Sequence, residues 1–325
     1  MVKTAVLLTA FGAPGSMDQV QPFMCDLMGR EPSDELVGRI CKRYLAIGGG
    51  SPLPTVAAEI ARMLEAALAE AGAPVPVVVG MRYSDPRIED ALAAMKEAGI
   101  ERVVTLSLSP FESKVTHGAY REAIDKAVEV LGGMEVVEAP LISELPEYAN
   151  FYAMSAATAI SDMPESESAI LVFSAHSLPE SDLVEDDPYV QGLRGVADEV
   201  VTTLGLSPGE VIDVPLLAGR PVFGSFEPPR AWLLAYQSKG DRPGAWLGPD
   251  LDEVVDVAVQ SQTPGLVVVP IGFMTDHLET LYDIDIEAAG KAYDADLAFA
   301  RAECPNADED LLTAVAKELV PIIRQ

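Results

Sequence analysis

Short apolar runs rich in β-branched residues alternate with helix-patterned stretches along this chain, and no other feature restricts its fold as much. Residues 4–11, 75–79, 102–108, 169–175 and 266–271 are apolar runs of this kind. They read as strands of a parallel sheet, covered on both faces by the helices that connect them. Sequence therefore predicts an α/β fold: two Rossmann-like domains, each a mostly parallel β-sheet flanked by helices, with the active-site cleft between them.

At 325 residues with 49% hydrophobic composition, the chain can bury two cores of ordinary size. The first domain is read as residues 1–160, with helices over 17–28 (Ser16 as N-cap), from Ser33 toward Tyr44, and over 55–71, 86–98 and 120–131. A further strand is expected at 135–138 and a bridging helix at 150–160. Residues 161–168, acidic and serine-containing, are the linker candidate. The second domain, 161–325, repeats the plan: strand 169–175, helix 189–204, a strand near 232–236, helix 250–260, strand 266–271 and a helix from Asp276. The last helix, 308–323, is expected to pack back on the first domain. Residues 214–230, with Pro215, Pro221, Pro228 and Pro229, read as an irregular insertion.

Strand ends are where open parallel sheets bind ligands, and two of them are chemically loaded. Strand 266–271 runs into Asp276, Glu279, Asp283 and Glu287, the last three recurring every four residues and so sharing one face of a helix. Carboxylates in such a row repel one another unless a cation neutralises them, and hard oxygen donors suit hydrated divalent ions. Taken alone, an acidic run in an acidic chain reads as a solvated helix face. The strand ahead of it, and a second strand ending at His176, favour a metal-handling reading. Of the three histidines, only His176 directly follows a strand and precedes a proline-marked turn. His277 reads as a capping or structural residue, and His117 is left between pocket and core. Gly48-Gly49-Gly50 lacks the lysine of a phosphate loop and follows no strand, so it reads as a helix-ending turn.

Ser174-Ala-His-Ser-Leu-Pro179 together with Phe273-Met-Thr-Asp-His-Leu-Glu279 resembles the ferrochelatase family. Arg43-Tyr-Leu-Ala-Ile-Gly-Gly-Gly-Ser-Pro-Leu53, Gly80-Met-Arg-Tyr83, Asp187-Pro-Tyr189 and Tyr236-Gln-Ser238 with Trp246-Leu-Gly-Pro249 follow in the family's order, so the likeness spans nearly the whole chain. The resemblance implies a lyase that inserts Fe2+ into coproporphyrin III or protoporphyrin IX in haem biosynthesis. It implies His176 and Glu279 as the catalytic pair, and His176, Glu279, Asp283 and Glu287 as metal-handling residues. Phe11, Arg30, Arg43, Ser51, Arg82 and Lys114 are the expected porphyrin contacts. Phe111, Tyr120, Met81 and Met274 could grip the ring, but read more simply as core. Relatives that make coproporphyrin-type haem often carry a tyrosine where this chain has Phe11, which removes an axial oxygen. Two alternatives of the same fold stay open: a sirohydrochlorin cobalt or iron chelatase, and a haem- or metal-binding relative without catalysis.

Charge and cysteine usage fit this expectation. The balance of 22 basic against 51 acidic residues gives a net charge of −29, which argues against nucleic acid or anionic membrane as a general partner. Anionic propionates would then rely on local arginines. Three widely spaced cysteines cannot supply the four thiolates of an iron–sulfur cluster and suit a reducing cytosol. The expected partners are porphyrin and ferrous iron, with no organic cofactor and an auxiliary divalent cation at the acidic row. No run is long enough to span a membrane, and residues 4–11 read as a strand rather than a signal segment. The chain is expected to be a cytoplasmic monomer.

Overall fold

The computed structural model describes residues 3–163, 168–217, 219–227 and 230–325. These form two compact units, Met1–Glu147 with Met274–Leu278 and Pro305–Gln325, and Tyr148–Phe273 with Glu279–Cys304.

The first unit contains β1 (Thr4–Ala10), α1 (Val20–Met28), α2 (Asp34–Ala46), α3 (Leu53–Glu70), β2 (Val77–Met81), α4 (Ile88–Glu97), β3 (Arg102–Ser107), α5 (Ala119–Leu131) and β4 (Glu135–Glu138). Its sheet has the order β2-β1-β3-β4 and is wholly parallel, with Val6 opposite Val77 on one side and Val104 on the other. Every residue of β1 is buried, as a central strand between two helical layers demands. On one face, Ala5, Leu7 and Val103 pack with Ile88, Leu92 and Ile124 from α4 and α5.

The second unit contains most of α6 (Pro146–Asp162), then β5 (Ile170–His176), α7 (Pro188–Thr203), β6 (Glu210–Asp213), β7 (Pro221–Ser225), β8 (Trp232–Gln237), α8 (Leu251–Gln260) and β9 (Gly265–Val269). After a π-helix (Glu279–Ala288) come α9 (Ala289–Asp294) and β10 (Ala298–Arg301). The sheet order is β10-β9-β5-β8-β7-β6, parallel from β10 to β8, with β7 antiparallel to both its neighbours. Phe173 and Trp232 stack edge to face at 5.4 Å between ring centres, and Phe223 meets Trp232 at 5.6 Å. The last helix, α10 (Glu309–Ile323), belongs to the first unit, where it packs on α3.

Three expectations need correction. The stretch read as an irregular insertion holds β7 and follows β6, an antiparallel pair at the sheet edge, although Ala218, Pro228 and Pro229 lie outside the described residues. A tenth strand, Ala298–Arg301, was not foreseen. The helix expected from Asp276 begins with π geometry at Glu279, and its i→i+5 bonding widens the turn. Of the linker candidate, residues 164–167 lie outside the described residues.

Candidate active site

His176 is the last residue of β5 and Gln237 the last of β8, and the parallel register sets them side by side. On the other side of β5 lies β9, whose chain continues through Pro270 to Phe273 and then reaches the π-helix. Gly272 permits that path: a Cβ there would lie 2.5 Å from the Cβ of Ala175, so only a bare backbone can pass so close to the end of β5. The Gly272 N–H donates to the Ser174 carbonyl at 3.0 Å and fixes the crossing.

Glu279, the first π-helical residue, thereby meets the histidine, with His176 Nδ1 2.9 Å from Glu279 Oε2. An ionised carboxylate only accepts hydrogen bonds, so Nδ1 carries a proton, and in the neutral ring Nε2 keeps a lone pair. The two side chains are 36% and 28% exposed, placing the pair at the surface of the unit. Burial pulls the imidazole pKa down, but the charge of Glu279, its hydrogen bond and the charge of Asp283 together outweigh burial and raise it above the ordinary histidine value. The backbone behind the ring is held as well. Tyr189 donates its hydroxyl to the His176 carbonyl at 2.7 Å, and the Ser177 N–H donates to the Gln237 carbonyl at 2.8 Å.

The acidic row follows the π-helix. Thr280, Ile284 and Ala288 are its buried residues, while Glu279 and Asp283 are half-buried and Glu287 exposed. The wider turn makes this row drift in the opposite sense from an α-helical one, without dispersing it. Ser238 donates its hydroxyl to Asp283 Oδ2, and Gln237 donates its amide N–H to the Glu279 carbonyl at 2.8 Å. Among the described residues, no group of three or more His, Cys, Asp or Glu side chains is gathered to hold a metal ion. The row is thus an open line of carboxylates rather than a closed cage.

In the first unit, several expected porphyrin contacts lie at the carboxyl edge of the sheet. Phe11 follows β1 and Arg82 follows β2. The ring of Phe11 lies 4.8 Å from that of Tyr83, over which the Arg82 guanidinium sits at 4.7 Å. Tyr83 was not singled out among the sites; its place in Gly80-Met-Arg-Tyr83 was the available signal. Ser51 is buried and accepts from the Leu53 N–H at 3.3 Å, just ahead of α3. Arg43 lies half-buried in the last turn of α2, Arg30 is exposed just beyond α1, and Lys114 is exposed at the start of a short π-turn, Lys114–Gly118.

The sequence model of the ferrochelatase family matches residues 3–320. The chain belongs to the ferrochelatase family. A ferrochelatase of Herpetosiphon aurantiacus is 34% identical over 322 residues, covering 96% of this chain and 98% of its own. The coproporphyrin III ferrochelatase of Bacillus subtilis is 30% identical, covering 97% and 96%. Among solved structures, SirB from Bacillus subtilis with Fe3+ superposes with a TM-score of 0.56 at 12% identity, covering 98% of this chain and 94% of that one. At that identity the likeness speaks for the fold alone.

For this ferrochelatase, the ring-gripping candidates Met81, Phe111, Tyr120 and Met274 are all buried as core, 1% to 2% exposed. His117 is buried too, with Nδ1 3.2 Å from Thr116 Oγ1, and burial lowers its pKa. It lines a cavity of about 240 Å³ with Thr105, Tyr120, Arg121 and Glu138. His277 lies in the segment Met274–Leu278 of the first unit. Gln237 and Ser238 were visible in Tyr236-Gln-Ser238 but were not read as site residues. No helix among the described residues is long and apolar enough to cross a membrane.

Proposed function

We propose that this ferrochelatase inserts ferrous iron into coproporphyrin III or protoporphyrin IX through His176 and Glu279. The observation that carries the reading is the 2.9 Å contact between His176 Nδ1 and Glu279 Oε2 at the ends of adjoining strand connections. Insertion requires Fe2+ to shed water while two pyrrole N–H protons leave, so the porphyrin binds iron as a dianion and no electron changes hands. Glu279 holds the Nδ1–H, which leaves Nε2 to accept a pyrrole proton or to bind the arriving ion. Asp283 and Glu287 extend the pair into a negative path for hydrated iron moving in or protons moving out, and an auxiliary divalent cation would bind there through oxygen and water.

Phe11 would wall the ring, with Ser51 beside it, and Arg30, Arg43, Arg82 and Lys114 would pair with the propionates. The names of the Bacillus relatives favour coproporphyrin III, and Phe11 then implies that product iron leaves without a tyrosinate from that position. With a net charge of −29 and three cysteines, the chain suits a cytoplasmic monomer without an iron–sulfur cluster or organic cofactor.

The test is anaerobic insertion of ferrous iron into coproporphyrin III, protoporphyrin IX and sirohydrochlorin, followed by absorbance. Turnover of either porphyrin, with sirohydrochlorin untouched, is expected. Turnover of sirohydrochlorin alone, or binding of all three without turnover, would overturn the proposal.

A further inference from the structure

The end of β8 supplies a residue that the proposed chemistry does not itself require. Gln237 is 2% exposed, and its Nε2 lies 2.8 Å from the carbonyl oxygen of Glu279 and 3.5 Å from Ser238 Oγ. A backbone carbonyl can only accept, so the amide nitrogen must face it, and this fixes the orientation of the amide. The consequence is that, among the described residues, Oε1 is buried with no hydrogen-bond partner. A buried acceptor left in that condition weakens the fold, and an apolar side chain of the same length would avoid the penalty. What the amide provides in return is a fixed position for one residue, Glu279.

Glu279 is therefore held twice from two paired strand ends. His176 engages its carboxylate, and Gln237, opposite His176 in the ladder, engages its main chain. The next residue, Ser238, adopts a left-handed φ of 60° and turns its hydroxyl onto Asp283, one step along the same row. The dipeptide thus ties the π-helix to the sheet where its first acid must meet the imidazole. A π-turn is an uncommon and poorly self-stabilised geometry, so outside anchors decide where its first residue sits.

We propose that Gln237 is a positioning residue for metal insertion: its amide holds the Glu279 main chain so that the Glu279 carboxylate meets His176. This inference rests on the function proposed above. It acts through Glu279 and requires no contact between Gln237 and porphyrin or iron.

Two measurements on Gln237→Met test it. The first is steady-state insertion, where kcat is expected to fall by about 10-fold or more while KM for porphyrin stays within about 2-fold. The second is the imidazole nitrogen NMR spectrum, in which the His176 Nδ1 signal should move while those of His117 and His277 stay in place. If thermal melts show that Gln237→Met does not fold, Gln237→Asn, which withdraws the amide by one methylene, is read by the same two measures. An unchanged kcat would overturn the inference, as would a fall in kcat with the His176 signal unmoved or with all three signals displaced. Failure of the wild-type protein to insert iron would instead defeat the functional reading on which it rests.

Discussion

His176 and Glu279, 103 residues apart in sequence, meet at 2.9 Å because β5 and β9 are neighbours and the chain beyond β9 crosses the end of β5 at Gly272. A histidine oriented by a carboxylate has its tautomer and ring direction set before substrate arrives. The pair also makes an electrostatic statement that can be measured.

The imidazole of His176 is held above the ordinary histidine pKa of about 6.5, since Glu279 and Asp283 outweigh burial. Insertion needs the neutral ring, so its rate should rise with pH through a midpoint above about 6.5, and Glu279→Gln should lower that midpoint. For stability the sign is opposite. A raised folded-state pKa contributes fully below the unfolded value and is lost as pH rises through the folded value. NMR titration of the three histidines reads the midpoint directly, and a His176 value unmoved in Glu279→Gln would count against this account.

Along the acidic row the effects should decline. Glu279 touches His176, whereas Glu287 is exposed two steps away. Replacing Glu279 by Gln should lower kcat by about 100-fold or more, and Glu287→Gln by no more than about 3-fold, with Asp283→Asn acting mainly on the KM for iron. Kinetics at varied ferrous iron check this, and equal losses at Glu279 and Glu287 would shift the chemistry along the row.

Gly272→Ala should disturb the site through the backbone. Its Cβ would lie 2.5 Å from the Cβ of Ala175, next to His176, so the two segments must part. We expect a loss of about 1–3 kcal/mol by urea unfolding, as for other overpacked sites, together with reduced kcat. Wild-type stability and activity in this variant would show that the crossing is looser than the geometry indicates.

The core of the second unit depends on Phe173, fully buried and stacked edge to face on Trp232 at 5.4 Å. Phe173→Ala should cost about 3–5 kcal/mol, because both buried area and a close-packed partner are lost. Urea melts of the two proteins measure this, and a cost below about 1 kcal/mol would mean that the neighbours refill the space.

Much of this architecture was legible because strands buried on both faces leave an unmistakable apolar run. Strand 102–108, buried along most of its length, ends one residue sooner than expected, while 135–138, an exposed edge strand without that signature, falls where it was expected. The failures have physical causes. β6 and β7 form an edge pair with exposed residues such as Glu210, Val211 and Pro221, so they lack a buried strand's signature. The π-geometry of Glu279–Ala288 is invisible to a four-residue spacing, which fits either helix. At the site, His176 stood out at a strand end and Glu279 as the head of the acidic row beyond another strand, and the family resemblance paired them. Gln237 and Ser238 did not, since an amide and a hydroxyl gain their meaning only from the carbonyl and carboxylate they face in the folded chain.

The most direct measurement of the central claim compares wild-type protein with His176→Ala in a single anaerobic experiment that records porphyrin binding by fluorescence and ferrous iron insertion by absorbance. The account expects wild-type protein to bind and metallate the porphyrin, and His176→Ala to bind it with similar affinity while insertion falls by at least about 100-fold. Insertion by His176→Ala at the wild-type rate would contradict it.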